Sequence, residues 1–75
     1  MRELRYIVSE NGTFKKRFIE KKHALEFARS TYIDRKDNFT FVTVDEIELG
    51  LYRKYLKLSK NDNFLRDNSK LIREF

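Results

Sequence analysis

The chain has 75 residues, 17 Lys and Arg against 12 Asp and Glu, a formal net charge of +5 and a hydrophobic fraction of 40%. A chain of that length is a single domain, 1–75, and buries only about 60% of the surface that its unfolded form exposes. It has no cysteine and one histidine, which excludes a disulfide framework and a cysteine–histidine zinc site as the staple of the fold. The seven Phe and four Tyr must then supply the core, each ring burying about 150–250 Å², with a homodimer as the other route to stability. No apolar run approaches the roughly 18 residues of a membrane span, and no signal-peptide core follows Met1. A cytoplasmic protein with no membrane partner is expected, and the sequons at Asn11 and Asn38 are expected to be coincidental.

Leu4 to Val8 is rich in β-formers and reads as a strand. Asn11-Gly12 follows, the strongest short hairpin signal, because a type I′ turn needs positive φ at both central residues. Thr13 to Ile19 reads as the second strand. Phe14 and Phe18 are expected on one face of it, with Lys15 and Arg17 on the other. Glu20 to Ile33 reads as a helix, since Ala24, Leu25, Ala28, Thr31 and Tyr32 follow the helical template. Leu25, Ala28 and Tyr32 are expected to face Phe41 or Val42.

Asp34 to Asn38 is a polar break. Phe39 to Val44 is β-branched and aromatic on both faces, which predicts a strand covered on both sides. Beyond Asp45 a helical stripe through Ile47, Leu51, Tyr55 and Leu58 competes with a strand that runs on through Ile47 and Leu49. Gly50 interrupts the stripe at a cost of about 1 kcal/mol. Ser59 to Asn63 is a loop in which Asp62 or Asn63 is the expected cap. Phe64, Leu65, Asn68, Leu71, Ile72 and Phe75 mark a terminal helix. The expected fold is α+β: a three-stranded antiparallel sheet, β-β-α-β in spatial order 2-1-3, covered by a helix and followed by one or two C-terminal helices.

Residues fit for chemistry are few. His23 is the only imidazole and stands beside Lys21 and Lys22, with no nucleophile in its pattern. Asp45, Glu46 and Glu48 are the only acidic cluster. They read as a solvated edge or a helix N-terminus, with Mg²⁺ binding as the sharper alternative. Two glycines exclude a phosphate-cradling loop. No catalytic residue, cofactor site or metal site is therefore expected, and the chain does not read as an enzyme.

Charge is unevenly placed. Residues 14–37 carry eight basic and four acidic side chains, and residues 51–75 carry seven and three. Such a surface favours acidic partners. In the C-terminal part Tyr52, Arg53, Tyr55 and Lys57 interleave rings with cations, as protein-binding hot spots do. With Lys15 and Arg17 they form the expected partner-binding set. The competing role for Tyr52, Tyr55 and Leu56 is to pack on the sheet while the cations face water.

Lys15, Lys16, Arg17, Lys21 and Lys22 are the alternative, nucleic-acid-binding set, since a basic two-stranded ribbon fits a DNA major groove. This segment resembles AP2-type DNA-binding domains in its strand with Gly12 and Phe14, the closing Phe18 and the alanine-bearing helix start at Ala24 and Ala28. That resemblance implies DNA contact through the hairpin. The whole chain resembles the small host-takeover proteins that bacteriophages make early in infection. Met1 leads straight into a strand, the body lacks Cys and Pro, and the surface is basic and aromatic. That resemblance implies a modulator or inhibitor that docks on a host protein with an acidic patch.

Overall fold

The computed structural model describes residues 3–35 and 39–75. Met1, Arg2, Lys36, Asp37 and Asn38 lie outside the described residues. With them go the entry to the first strand, the centre of the polar break and the asparagine of the second sequon.

β1 (Leu4–Glu10) and β2 (Thr13–Phe18) form an antiparallel hairpin that closes at Glu10 and Thr13. Asn11 and Gly12 have φ of 51° and 81°, the signs a two-residue type I′ turn demands. The Asn11 side chain accepts a hydrogen bond from the Phe41 backbone N–H, and its own N–H donates to the Phe41 carbonyl, each at 2.9 Å. The turn is thus tied to the strand that enters on the other side of β1.

β1 and β2 do not stay in simple alternation. Val8 faces Lys16 but Ser9 faces Phe14, so Lys15 is an extra residue in β2. A bulge of this kind sends flanking side chains to different faces. Phe18 packs with the core that contains Tyr6 and Val8, whereas Phe14 packs with the core that contains Ile7. The expectation of both phenylalanines on one face is corrected by that single extra residue.

The helix after the hairpin, α1 (Lys21–Arg35), buries Ala24 and Ala28 against Tyr6, Val8, Val42 and Val44. Two alanines spaced by four let the helix approach the sheet closely, and Leu25 and Phe27 close the flanks half-buried. The expected contact of Leu25 and Ala28 with Val42 therefore lies in one core. Tyr32 does not join it: its ring lies 6.2 Å from Phe75, and Phe41 is partly exposed.

β3 (Val42–Glu48) pairs antiparallel with β1 over seven residue pairs. It runs on through Ile47, so the competing strand reading holds there, and helix begins only with α2 (Leu49–Lys57). Gly50 falls in the first turn of α2 rather than its middle. α3 (Asp62–Asn68) is capped by Asn61, whose side chain accepts from the Phe64 N–H at 3.1 Å, in place of Asp62 or Asn63.

The C-terminal segment is the main correction. Helix stops at Asn68, and β4 (Lys70–Glu74) pairs antiparallel with β3. The sheet has four strands in the order β2-β1-β3-β4, where three were expected. The physical reason is β3 itself. Its Val42, Val44 and Ile47 are buried, and a buried strand with one unpaired edge would strand its N–H and C=O groups. β4 satisfies them, which two further helical turns could not. Helices cover both faces of this α+β fold, α1 on one and α2 with α3 on the other. Among the described residues no helix is long and apolar enough to cross a membrane.

The two glycines should respond oppositely to substitution. A Cβ would meet nothing within 4 Å at either site, but only Gly12 has positive φ. Gly12→Val should destabilise by about 1–2 kcal/mol through backbone conformation alone. Gly50→Ala should stabilise by up to about 1 kcal/mol. Urea unfolding of both variants checks the signs.

Candidate interaction surface

Arg17 is the first residue of the expected partner set to find a structural role. It lies opposite Ile7 in the hairpin, on the α2 side of the sheet, with its guanidinium carbon 6.0 Å from the centre of the Tyr52 ring. Lys15, on the bulge, forms an ion pair with Glu10 at 3.2 Å. Glu10 also holds Arg35 of α1, with Nε at 2.6 Å and Nη2 at 3.1 Å. The Lys15 bond is the first cause that lowers the Glu10 pKa below its ordinary value, followed after a burial cost by Arg35. Lys16 sits over the Phe18 and Phe27 rings at 5.2 and 5.6 Å. Lys21 and Lys22 are exposed on the first turn of α1.

Tyr52 and Tyr55 do not project as anchors. Tyr55 is 0% exposed and Tyr52 is buried with it, in the core of Ile7, Ile47 and Leu65. They are the apolar stripe by which α2 grips the sheet, so the partner-anchor role is corrected to packing. Arg53 and Lys57 are exposed. Leu51 lines a cleft with Asp67 and Asn68 of α3. The opposite flank of α2, with Leu56 and Arg53, therefore turns toward β2. Leu56 is 41% exposed, where the competing role had it packed on the sheet.

Lys60 belongs to the same surface and has no signal in the hydrophobic pattern. α2 ends in a Schellman motif: the Lys60 N–H reaches the Tyr55 carbonyl at 3.0 Å and the Ser59 N–H reaches the Leu56 carbonyl at 3.1 Å. Ser59 and Lys60 have φ of 56° and 55°, a region usually left to glycine. This turn brings the Lys60 ammonium 4.3 Å from the centre of the Phe14 ring. β2 and residues 49–60 together hold seven basic side chains and no acidic one. β3, α3 and β4 hold six acidic and three basic ones. The cations of β2 and of residues 49–60 adjoin through the Arg17–Tyr52 and Lys60–Phe14 contacts and form a cationic end, while β3 and α3 are the more acidic elements.

The acidic cluster splits: Glu46 and Glu48 line one cleft with Asp67, and Asp45 lines the groove beneath α3. Successive strand residues point to opposite faces. Asp45 faces the α3 side, and Glu46, paired with Tyr6 in the register, faces the other; burial first and Glu46 second raise the Tyr6 hydroxyl above its ordinary value. Glu48 occupies the N-cap of α2 without a side-chain cap bond. Among the described residues no three side chains gather to hold a metal ion. His23 Nδ1 lies 3.7 Å from Glu20, and both side chains are more than half exposed.

A groove of about 310 Å³ runs between α3 and the sheet, lined by Ser9, Thr43, Asp45, Asp62, Arg66 and Ser69 among others. Burial pushes the Asp45 carboxyl above its ordinary range, opposed in part by a hydrogen bond from Ser69. Burial likewise raises the Tyr55 hydroxyl, with Asp62 adding to it, and among the described residues that hydroxyl has no hydrogen-bond partner. No family model, curated protein or solved structure matches the chain.

Two variants test this account of the helical face. Tyr55→Phe removes a buried, unpaired hydroxyl and should raise stability by about 1 kcal/mol, whereas Tyr55→Ala should cost about 3–5 kcal/mol. Asp45→Asn should raise Tm at pH 7. With its folded pKa raised, Asp45 is least costly below its unfolded value, about 3.9, and that advantage is lost as pH rises through the folded value. Its gain on substitution should therefore vanish near pH 3, as thermal melts at the two pH values would show.

Proposed function

We propose that this protein is a non-catalytic binding module that docks on an acidic patch of a partner protein and alters that partner's activity, as a phage-type modulator of a host protein would. The observation that carries this reading is the charge division just described. The cationic end supplies steering. Arg17, Arg53, Lys57 and Lys60 are the residues to which that role falls, with Lys15 partly neutralised by Glu10. Leu56 and Ile19, the latter 63% exposed, offer apolar contact at the same end. Tyr52 and Tyr55 contribute by holding α2 in place.

Nucleic-acid binding through Lys15, Lys16, Arg17, Lys21 and Lys22 is the second reading. The same cationic end favours it through phosphate contacts alone. The rings near those cations, Phe14, Phe18, Phe27 and Tyr52, are buried or half-buried, so they offer little platform for base stacking.

Affinity capture from a nuclease-treated bacterial lysate, followed by binding kinetics on the captured protein, separates the two. Arg17→Glu with Lys60→Glu should slow association about tenfold at low salt, with release changed far less. Leu56→Ala should speed release. Tight binding to duplex DNA, with a log–log salt slope of about −0.9 per phosphate contacted, would instead select the nucleic-acid reading.

A further inference from the structure

β2 is an edge strand of the sheet, and its Thr13, Lys15, Lys16 and Arg17 are exposed. Asn11 gives its N–H to Phe41, on the β3 side of the hairpin. Backbone groups alternate between the two edges of a strand, so Ser9 and Ile7 also bond toward β3. Phe14 and Arg17 stand opposite them and therefore turn their N–H and C=O groups away from β1. Among the described residues the backbone of β2 has no partner beyond β1. The bulge sets Phe14 and Arg17 three positions apart, while β1 covers the same distance from Ser9 to Ile7 in two. A regular strand laid on the outer edge therefore meets both.

That edge is cationic on both faces. On the α2 side Arg17 stands beside Tyr52, and Lys60 lies over Phe14. On the α1 side Lys16 lies over Phe18 and Phe27. β2 carries no acidic residue, and Glu10 on β1 is already held by Lys15 and Arg35. A second β2 brought to the edge is repelled, the usual protection of an edge strand. An apolar strand would strip water from the cations without pairing them. An acidic strand does neither. We propose that an extended acidic segment of the partner protein adds to the outer edge of β2 as a fifth strand. Its backbone bonds to Phe14 and Arg17. Its successive side chains point to opposite faces, so two adjacent carboxylates meet Arg17 on one face and Lys16 on the other. Backbone bonds supply affinity and the cations select the sequence. This mode of docking rests on the protein-partner reading above.

NMR titration of the isotope-labelled chain with a terminally blocked peptide, Thr-Val-Glu-Glu-Val-Thr, tests this. Amide resonances of residues 13–18 should shift, and the Arg17 amide should exchange with solvent more slowly in the complex. The same peptide N-methylated at both Glu residues keeps its charge but loses those donors, and should bind at least about tenfold more weakly. Arg17→Glu and Lys16→Glu should each weaken binding about tenfold, with circular dichroism confirming the fold. Lys16 lies over two rings, so Arg17→Glu, at an exposed site, carries the test where Lys16→Glu loosens α1. Equal binding of the two peptides, with Arg17→Glu weakening both, would overturn the fifth strand while the acidic-docking reading stands. No shift of 13–18 at millimolar peptide would overturn the fifth strand as well. Shifts of those resonances by duplex DNA, with no response to the peptide, would overturn the strand and the protein-partner reading together.

Discussion

Tyr6, Ile7, Val8 and Ser9 are four consecutive buried residues in the middle of β1. Consecutive strand residues point to opposite faces, so burying all four requires cover above and below the sheet and a neighbour on each side. Every other element answers one of those requirements. β2 and β3 take the two hydrogen-bonding edges of β1. α1 brings Ala24 and Ala28 down on Tyr6 and Val8, and α2 and α3 bring Tyr52, Tyr55 and Leu65 down on Ile7. β3 becomes a buried strand in turn, and β4 completes its pairing. A 75-residue chain thus reaches a three-layer arrangement by keeping each layer very thin.

Thin layers explain where the charges stand. With so few residues available, α2 spends its apolar stripe on the core, and its cations are left on the outer surface. Two local departures from regular geometry then gather cations at the β2 end. The bulge at Lys15 lets β2 serve both cores while its basic side chains spread along the edge. The positive φ of Ser59 and Lys60 turns the chain back so that Lys60 meets Phe14. Cation–ring contacts there involve rings that also belong to the cores. The surface we propose for binding therefore adjoins residues that stabilise the fold, with Arg17 beside Tyr52 and Lys60 beside Phe14.

The local chemistry of the chain was legible from its residues. Asn11-Gly12 specifies a turn whatever surrounds it, because the requirement for positive φ is intrinsic to those two residues. The alanine and aromatic spacing of α1 and the β-branched run of β3 likewise report their own periods. The basic character of β2 and of residues 51–60 is a matter of composition, and it survives folding unchanged. These are properties that each segment carries in isolation.

What lay beyond the sequence was decided between segments. Phe64, Leu65 and Asn68 have helical spacing, and nothing in that pattern says that Leu71 and Ile72 leave it. They leave because β3 needs a partner, a need that exists only once β3 is buried. Phe14 and Phe18 share a parity in sequence and part in space, because the register of β1 against β2 admits one extra residue. Tyr55 carries the same side chain whether it is an anchor or a core residue, and only the sheet beneath α2 decides. Turn chemistry, periodicity and charge act over a few residues and are written in the chain. Pairing, register and burial are satisfied jointly by elements far apart in sequence, so they were settled by the tertiary structure.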